Sequence, residues 1–302
     1  MKFQLDFMKY RRVYYAVSLA LIIVGIISMA VRDFAQGSAL NLGIDFTGGN
    51  LLQVEFKQPV SIEQVRQVLG ETGLRSCRVQ QAEANQFLLR TPELSEAEGE
   101  ALVNTLRQKL GDLEVLRNEK VGAVIGRELT LNALWALVIG WALMLAYISV
   151  RFQFYFGVAA LLALVHDVLI TLGFFSLFQI EVDSAFVAAI LTLIGYSIND
   201  TIVIFDRIRE SLRIMRKSPL SEVINFSINV SLVRTITTAA TVIIVLLCLL
   251  LLGGQTTKTF ALALLVGTIT GTYSSDCIAS SLYYEFQQRW GQGRSAARPA
   301  YR

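Results

Sequence analysis

The sequence predicts an α-helical membrane protein with six transmembrane helices and one α+β domain outside the membrane. Of its 302 residues, 54% are hydrophobic and only 17% are charged, whereas a soluble chain carries about 25% charged residues. The apolar residues form runs of about 20, the number of helical residues that crosses about 30 Å of hydrocarbon. Six such runs are present, at 13–31, 130–150, 156–178, 184–205, 235–252 and 259–284.

The long polar segment between the first two runs predicts a separate, water-exposed domain. Its 98 residues hold 11 of the 27 Lys and Arg and 14 of the 24 Asp and Glu. The predicted organisation is therefore an N-terminus with the first helix, this domain, five further transmembrane helices with one long loop, and a C-terminal tail. These parts span residues 1–31, 32–129, 130–286 with the loop at 206–234, and 287–302.

The distribution of Lys and Arg predicts the orientation, since these residues accumulate in the short loops on the cytoplasmic side. With a cytoplasmic N-terminus, the inner segments contain fifteen Lys and Arg, and the two short outer loops contain only Lys258. Both termini and the 206–234 loop are then cytoplasmic, and the 32–129 domain is periplasmic. Apolar residues in that loop indicate a helix lying on the membrane surface: Val223, Ile224, Phe226 and Ile228.

Within 32–129 the hydrophobic periodicity changes between that of strands and that of helices. Ser61 and Ser95 precede the two helical stretches as N-caps, and Ser95 with Glu98 has the pattern of a capping box. The predicted order β-α-β-β-α-β is the ferredoxin-like arrangement. Its strands are predicted at 50–57, 75–81, 86–90 and 113–120, and its helices at 61–71 and 95–110.

The sequence does not favour an enzyme or a metal protein. It contains no G-x-x-x-x-G-K-[ST] phosphate-binding loop. Its single histidine, His166, lies inside the third apolar run, so no Ser or Cys outside the membrane has a histidine to activate it. We therefore expect no catalytic residues, no cofactor and no metal. The net charge of +3 is also too small to indicate nucleic-acid binding.

Ionisable residues inside the predicted spans are the candidate functional residues, because each costs about 2.5–3.5 kcal/mol on insertion scales. Asp200, Arg234 and Asp276 share a predicted depth in the inner part of the bilayer, and His166 and Asp167 lie near the middle of the third run. Burial disfavours the charged form of a carboxyl, and a nearby Arg favours it. A change in the burial of the carboxyl, or in its distance from the Arg, could therefore make the carboxyl take up or release a proton.

A structural interpretation of the same residues stays open. Asp200 and Arg234 could form a fixed ion pair inside the helix bundle, which would transport nothing. His166 and Asp167 could serve only as hydrogen-bonding groups between helices. Asp206, at the edge of the fourth run, fits an interfacial or structural position.

Several segments resemble the SecF members of the SecD/SecF family of bacterial protein-export membrane proteins, within the resistance–nodulation–division superfamily. They are 43–49 (GIDFTGG), 166–171 (HDVLIT), 195–210 (GYSINDTIVIFDRIRE) and 232–235 (LVRT), in the family's order along the chain. Segments like the first also occur in SecD, but SecD carries a much larger outer domain.

The resemblance implies a multi-pass protein of the bacterial inner membrane that helps to drive late steps of protein export with the proton motive force. The implied partners are SecD, the SecYEG channel and the translocating preprotein, with YajC as a further candidate. Two alternatives remain: a small-molecule efflux half-transporter of the same superfamily, and a non-transporting membrane scaffold.

Carried over residue by residue, the resemblance assigns the proton relay to Asp200 and Arg234, with Asp206 as a further member. His166 and Asp167 are the next candidates for that relay. The family usually has an apolar residue where this chain has Asp276, so the resemblance assigns this residue no role.

The 43–49 segment is predicted to be a hinge that couples movement of the first span to the outer domain. Its motif residues are Gly43, Asp45, Gly48 and Gly49. Gly48 and Gly49 allow a positive φ or a close backbone approach. The alternative is a simple turn that leads into the first strand.

Overall fold

The computed structural model describes residues 5–74, 77–151 and 154–290. The chain divides into two compact units, which we call the helical unit (Met1–Asn41 with Ala136–Arg302) and the α+β unit (Leu42–Trp135). In chain order the elements are α1 (Arg11–Gln36), β1 (Asn41–Leu42), α2 (Ile44–Thr47), β2 (Gly49–Phe56), α3 (Ile62–Glu71), β3 (Arg78–Glu83), β4 (Gln86–Thr91), α4 (Glu96–Leu110), β5 (Leu113–Val121), α5 (Ala123–Arg151), α6 (Phe154–Leu177), β6 (Glu181–Val182), α7 (Ser184–Ile214), α8 (Leu220–Leu252), α9 (Gln255–Tyr273), a π-helical turn (Ser274–Ala279) and α10 (Ser280–Trp290).

The α+β unit contains a four-stranded antiparallel sheet with the strand order β3-β4-β2-β5. β2 is central, and its Leu52 lies opposite Leu89 of β4 and Asn118 of β5. The two helices, α3 and α4, follow β2 and β4 along the chain. The elements therefore occur in the order β-α-β-β-α-β.

The core of this unit forms where the sheet meets the two helices. Alternate residues of β2, Leu52, Val54 and Phe56, point to the same face and are at most 6% exposed. Each such side chain contributes about 1.5–3 kcal/mol through removal from water. The helices complete the core with residues three or four positions apart, which share one helix face: Val65, Val68, Leu69, Leu102, Leu106 and Leu110.

The predicted helix starts of the α+β unit are confirmed. Ser61 accepts a hydrogen bond from the backbone N–H of Gln64, and the Gln64 side chain accepts one from the Ser61 N–H. Ser95 and Glu98 make the same reciprocal pair of bonds, so both helices begin with a capping box. The predicted strand at 75–81 begins later, at Arg78, and its residues 75–76 lie outside the described residues.

Within the described residues, five helices are long and apolar enough to cross a membrane: α1, α5, α6, α7 and α8. The sixth predicted run, 259–284, falls in α9, the π-helical turn and α10, which follow one another without a break. It is not among the five, so the sixth span stays a prediction. α6 and α7 bury more of their surface than α1 and α8, whose exposed apolar side chains are typical of lipid-facing helices.

Two glycines bring α1 and α6 into backbone contact. A Cβ built on Gly25 would lie 2.8 Å from the Cα of Gly173, and the reverse distance is also 2.8 Å. Glycine permits such close packing between membrane helices because it has no side chain. The contact holds α1 against the helix that carries His166 and Asp167.

The predicted surface helix in the 206–234 loop is wrong. α8 runs without a break from Leu220 to Leu252, and three of the four residues, Val223, Ile224 and Ile228, are at most 1% exposed within the helical unit, whereas Phe226 is 43% exposed. An apolar helix face predicts burial in protein as well as burial in a membrane surface, and here the Ser227 hydroxyl bonds to that of Ser211 on α7 at 3.0 Å.

Candidate functional site

A hydrogen-bond network centred on Asp167 joins four elements of the helical unit. His166 and Asp167 lie on α6 and are 6% and 0% exposed. Nδ1 of His166 is 2.9 Å from Oδ1 of Asp167, and Nε2 is 2.9 Å from the Ser18 hydroxyl on α1. Oδ2 of Asp167 accepts hydrogen bonds from Ser197 on α7 at 2.7 Å and from Ser274 in the π-helical turn at 2.8 Å.

Both oxygens of Asp167 therefore have partners inside the bundle. A buried carboxyl is tolerated when hydrogen bonds replace its lost hydration. This arrangement matches the structural interpretation of His166 and Asp167 as groups that join helices. A role of the two residues in proton transfer stays a prediction.

The network also includes Ser18 and Tyr273, two hydroxyl residues that the sequence analysis did not single out. Ser18 lies in the first apolar run, and it also donates to the Tyr273 hydroxyl at 3.3 Å. Tyr273 in turn donates to the Tyr14 carbonyl at 3.1 Å. No periodicity in the sequence connects Ser18 with a histidine 148 residues away.

Asp200 has a different environment, because only one of its two oxygens is hydrogen-bonded. It is half-buried on α7, and its Oδ1 accepts a hydrogen bond from the Thr235 hydroxyl of α8 at 3.1 Å. Its Oδ2 is buried and has no hydrogen-bond partner among the described residues. One oxygen of this carboxyl is therefore hydrogen-bonded, and the other has no hydrogen-bond partner among the described residues.

Arg234 lies next to Thr235 in the chain but does not form an ion pair with Asp200, although both residues are described. Its exposed side chain lines an open cavity of about 480 Å³ beside Asp206. The two charges interact only at longer range. The fixed Asp200–Arg234 pair, which was the structural alternative, is therefore not observed.

Asp206 is close to the protein surface. It forms an ion pair with Arg209 at 3.2 Å, and 41% of its side chain is exposed. Ion pairs between exposed residues contribute about 0–1 kcal/mol. This position fits the interfacial interpretation of Asp206, and its membership of a proton relay stays a prediction.

Asp276 lies on an element that contacts α7 beside Asp200, consistent with the depth that the two residues share. It belongs to the π-helical turn and is 5% exposed, and its Oδ1 is buried without a hydrogen-bond partner among the described residues. The residues beside the two carboxyls are in contact, since the hydroxyls of Thr201 and Ser275 are 2.8 Å apart.

Two glycines of the 43–49 segment, Gly48 and Gly49, are required by the backbone. Gly43 is the N-cap of α2, whose first turn contains Asp45. Gly48 has a φ of +69°, and a Cβ on it would lie 2.8 Å from the Cα of Ala123. Gly49, the first residue of β2, has a φ of +110°. These constraints agree with the simple-turn alternative, and the hinge stays a prediction.

We expect Gly49→Ala to destabilise the α+β unit by about 2–5 kcal/mol. The positive φ costs about 1–2 kcal/mol for any L residue. The added Cβ would also lie 2.4 Å from the Thr91 carbonyl oxygen, which adds an overpacking cost of about 1–3 kcal/mol. Urea-dependent proteolysis of the full chain measures the difference.

Gly73→Ala is the matched control, because Gly73 has a φ of +83° but no atom within 4 Å of its built Cβ. We expect Gly73→Ala to lower the free energy of unfolding only by the cost of the positive φ, about 1–2 kcal/mol. Equal losses in the two variants would contradict the steric explanation of Gly49.

Comparison with known proteins assigns the family. The model described as "Protein export membrane protein SecD/SecF, C-terminal" matches residues 102–289, and the model described as "SecD/SecF GG Motif" matches residues 38–60. Protein translocase subunit SecF of Sebaldella termitidis is 46% identical over 286 residues, which are 93% of this chain and 91% of the relative. The SecF subunit of Desulfurispirillum indicum is 43% identical over 299 residues, 95% of this chain and 93% of the relative.

A solved structure has the same fold. The crystal structure of SecDF, a translocon-associated membrane protein from Thermus thermophilus, matches with a TM-score of 0.84 at 38% identity and covers 95% of this chain. This chain corresponds to 39% of that longer chain. These matches confirm the resemblance found in the sequence motifs. The chain belongs to the SecD/SecF family of protein-export membrane proteins.

Proposed function

We propose that this chain is a subunit of the preprotein translocase accessory complex and acts with SecD and the SecYEG channel. In this proposal the proton motive force drives late steps of export, and Asp200 carries the proton. The half-satisfied carboxyl of Asp200 is the observation that supports this role most directly. The relatives named SecF and the similarity to SecDF support the link to protein export.

The requirements of proton coupling favour Asp200 over Asp167. A coupling carboxyl must exist in both protonation states, so its surroundings must tolerate both. Asp167 has partners on both oxygens, which favours one fixed state. Asp200 has a free oxygen and no ion pair, so a change in water access or in the distance to Arg234 can shift its protonation.

The driving force is sufficient for a modest conformational change. One charge that crosses 100 mV supplies about 2.3 kcal/mol. One or a few protons per cycle could therefore bias a movement of the outer domain that costs a few kcal/mol. No enzymatic step in this chain is required.

The proposed arrangement in the membrane has six spans, with both termini in the cytoplasm and a ferredoxin-like domain in the periplasm. The order β-α-β-β-α-β and the strand order β3-β4-β2-β5 support this architecture for the outer domain. The excess of Lys and Arg in the proposed cytoplasmic segments supports the orientation. The bacterial inner membrane is the compartment in which such a protein would meet SecYEG.

A crosslinking experiment tests contact with the preprotein. A photo-crosslinking residue at Asn104, which lines an open cleft of about 570 Å³ in the α+β unit, should capture a preprotein arrested late in export. The same residue at Arg213, exposed at the end of α7, is the control and should not. Capture from Arg213 alone would contradict the orientation, and capture from neither position would favour the efflux alternative.

A further inference from the structure

We propose that Asp276 is a second proton-binding carboxyl of this chain and that it shares one proton with Asp200. The inference rests on the proposed proton-driven function and deepens it. It adds a titratable residue at a position to which the sequence motifs assign no role.

The geometry brings the two carboxyls together from different elements. Asp200 lies on α7, and Asp276 lies in the π-helical turn between α9 and α10. Thr201 follows Asp200 in the chain, and Ser275 precedes Asp276. The hydroxyls of Thr201 and Ser275 are 2.8 Å apart. Ser275 also donates to the Ser197 carbonyl of α7 at 3.4 Å. The two acidic residues therefore flank a direct contact between their elements.

Each carboxyl contributes one oxygen that lacks a partner. Oδ2 of Asp200 and Oδ1 of Asp276 are both buried and make no hydrogen bond within the described residues. Asp276 is 95% buried, since its exposed fraction is 5%. Buried polar atoms in proteins are nearly always hydrogen-bonded. Two such atoms on neighbouring carboxyls indicate that a group shared between them satisfies both.

The π-helical turn provides a reason for this placement. Three successive residues of the turn are buried in the helical unit: Ser274 bonds to Asp167, Ser275 bonds to Thr201, and Asp276 is 5% exposed. Short π-helical segments inside α-helices occur frequently at functional sites.

A proton is the group that fits the charges present. The charged and titratable side chains that face the two carboxyls in the described part of the chain are Tyr196, Arg234 and Cys277. Of these only Arg234 is a cation, and it forms no ion pair with Asp200. Two ionised carboxylates would therefore repel each other in a buried site without compensation.

One shared proton removes this repulsion. The protonated carboxyl donates its O–H to the ionised oxygen of the other, so the pair carries one proton and one negative charge. Release of the proton leaves two carboxylates, and uptake restores the hydrogen bond. The two groups then titrate as a pair rather than as separate sites.

The test uses the full chain in complex with SecD and two readouts on Asp276→Asn. The first readout is the infrared C=O band of neutral carboxyl groups, taken as a difference from the wild type near neutral pH. We expect the variant to lose a band that the wild type shows. The second is gradient-driven export, whose dependence on pH should change, because the variant removes one of the two titratable carboxyls that are proposed to act as a pair.

Two further variants serve as controls. Glu222→Gln removes an exposed carboxyl at the start of α8 and should change neither readout. Asp276→Glu keeps a titratable group and should retain the infrared band. If Asp276→Asn does not accumulate, Asp276→Leu replaces it, because leucine has a similar size and needs no hydrogen-bond partner in a buried position.

An unchanged infrared spectrum and an unchanged pH profile in the Asp276 variants would overturn the proposal. This result is distinguishable from failure of the proposed function. The infrared band is measured without export, so it does not depend on the proposed function. If Asp200→Asn abolishes the response of export to the gradient, proton coupling exists even when Asp276 has no part in it.

Discussion

Replacing Asp167 with leucine is expected to destabilise the helical unit by about 3–5 kcal/mol, the cost of removing one partner from a buried charged or hydrogen-bonded pair. The substitution takes the acceptor away from His166, Ser197 and Ser274 together. The ring nitrogen Nδ1 of His166 and the Ser197 hydroxyl would then be buried without these partners, which costs about 1–3 kcal/mol for each unsatisfied group, whereas Ser274 keeps its hydrogen bond to the Gly271 carbonyl. Thermal unfolding of the purified complex in detergent measures the loss.

Two comparisons show whether the loss comes from this network. Asp167→Asn keeps an acceptor oxygen and should cost less than the leucine variant. Asp206→Leu removes a carboxyl whose side chain is 41% exposed, and its cost should stay within about 1 kcal/mol. Equal costs for Asp167→Leu and Asp206→Leu would contradict the structural role of Asp167.

Replacing Asp200 with asparagine is expected to abolish proton-driven export while the protein still inserts and binds its partner. Asparagine keeps the size of the side chain and an oxygen that can accept the hydrogen bond from Thr235. It cannot carry a proton, so the proposed cycle stops. Pulse-chase labelling in cells that depend on the variant should show precursor accumulation equal to that of cells lacking the chain.

The control for this variant is Asn199→Asp, which adds a carboxyl at the exposed neighbouring position on α7. On an Asp200→Asn background it should not restore export, because position 199 lies on a different side of the helix. Restored export would mean that any carboxyl at this depth is enough, and the specific site at Asp200 would be disproved.

Local signals predict the α+β unit well. Ser61 and Ser95 are found as N-caps because a capping box needs only residues three positions apart. The strands alternate in polarity along a few residues, and the helices repeat their apolar residues every three or four. Each of these signals comes from residues within one helix or strand. It therefore does not depend on contacts with distant parts of the chain.

The helical unit is less predictable because its decisive contacts join distant residues. The rise of 1.5 Å per residue places Asp200 and Asp276 at a shared depth, and in the structure the hydroxyls of their chain neighbours Thr201 and Ser275 are 2.8 Å apart. Depth alone could not show that Asp167 has partners on both oxygens whereas Asp200 and Asp276 each have an oxygen without one. That difference depends on hydroxyls of other helices.

The surface helix assigned to Val223, Ile224 and Ile228 illustrates the same difficulty. A helix with an apolar face can bury that face in lipid headgroups or in protein, and hydropathy does not distinguish the two. The structure places these residues against the rest of the helical unit at no more than 1% exposure.

The most direct test of the proposed proton coupling is preprotein transport into inverted membrane vesicles, with and without an imposed proton gradient. Vesicles must contain equal amounts of the wild-type chain or of Asp200→Asn, together with SecD and SecYEG. We predict that the gradient stimulates transport in wild-type vesicles and has no effect in Asp200→Asn vesicles. A full gradient response in Asp200→Asn vesicles would contradict the assignment of the proton-carrying role to Asp200.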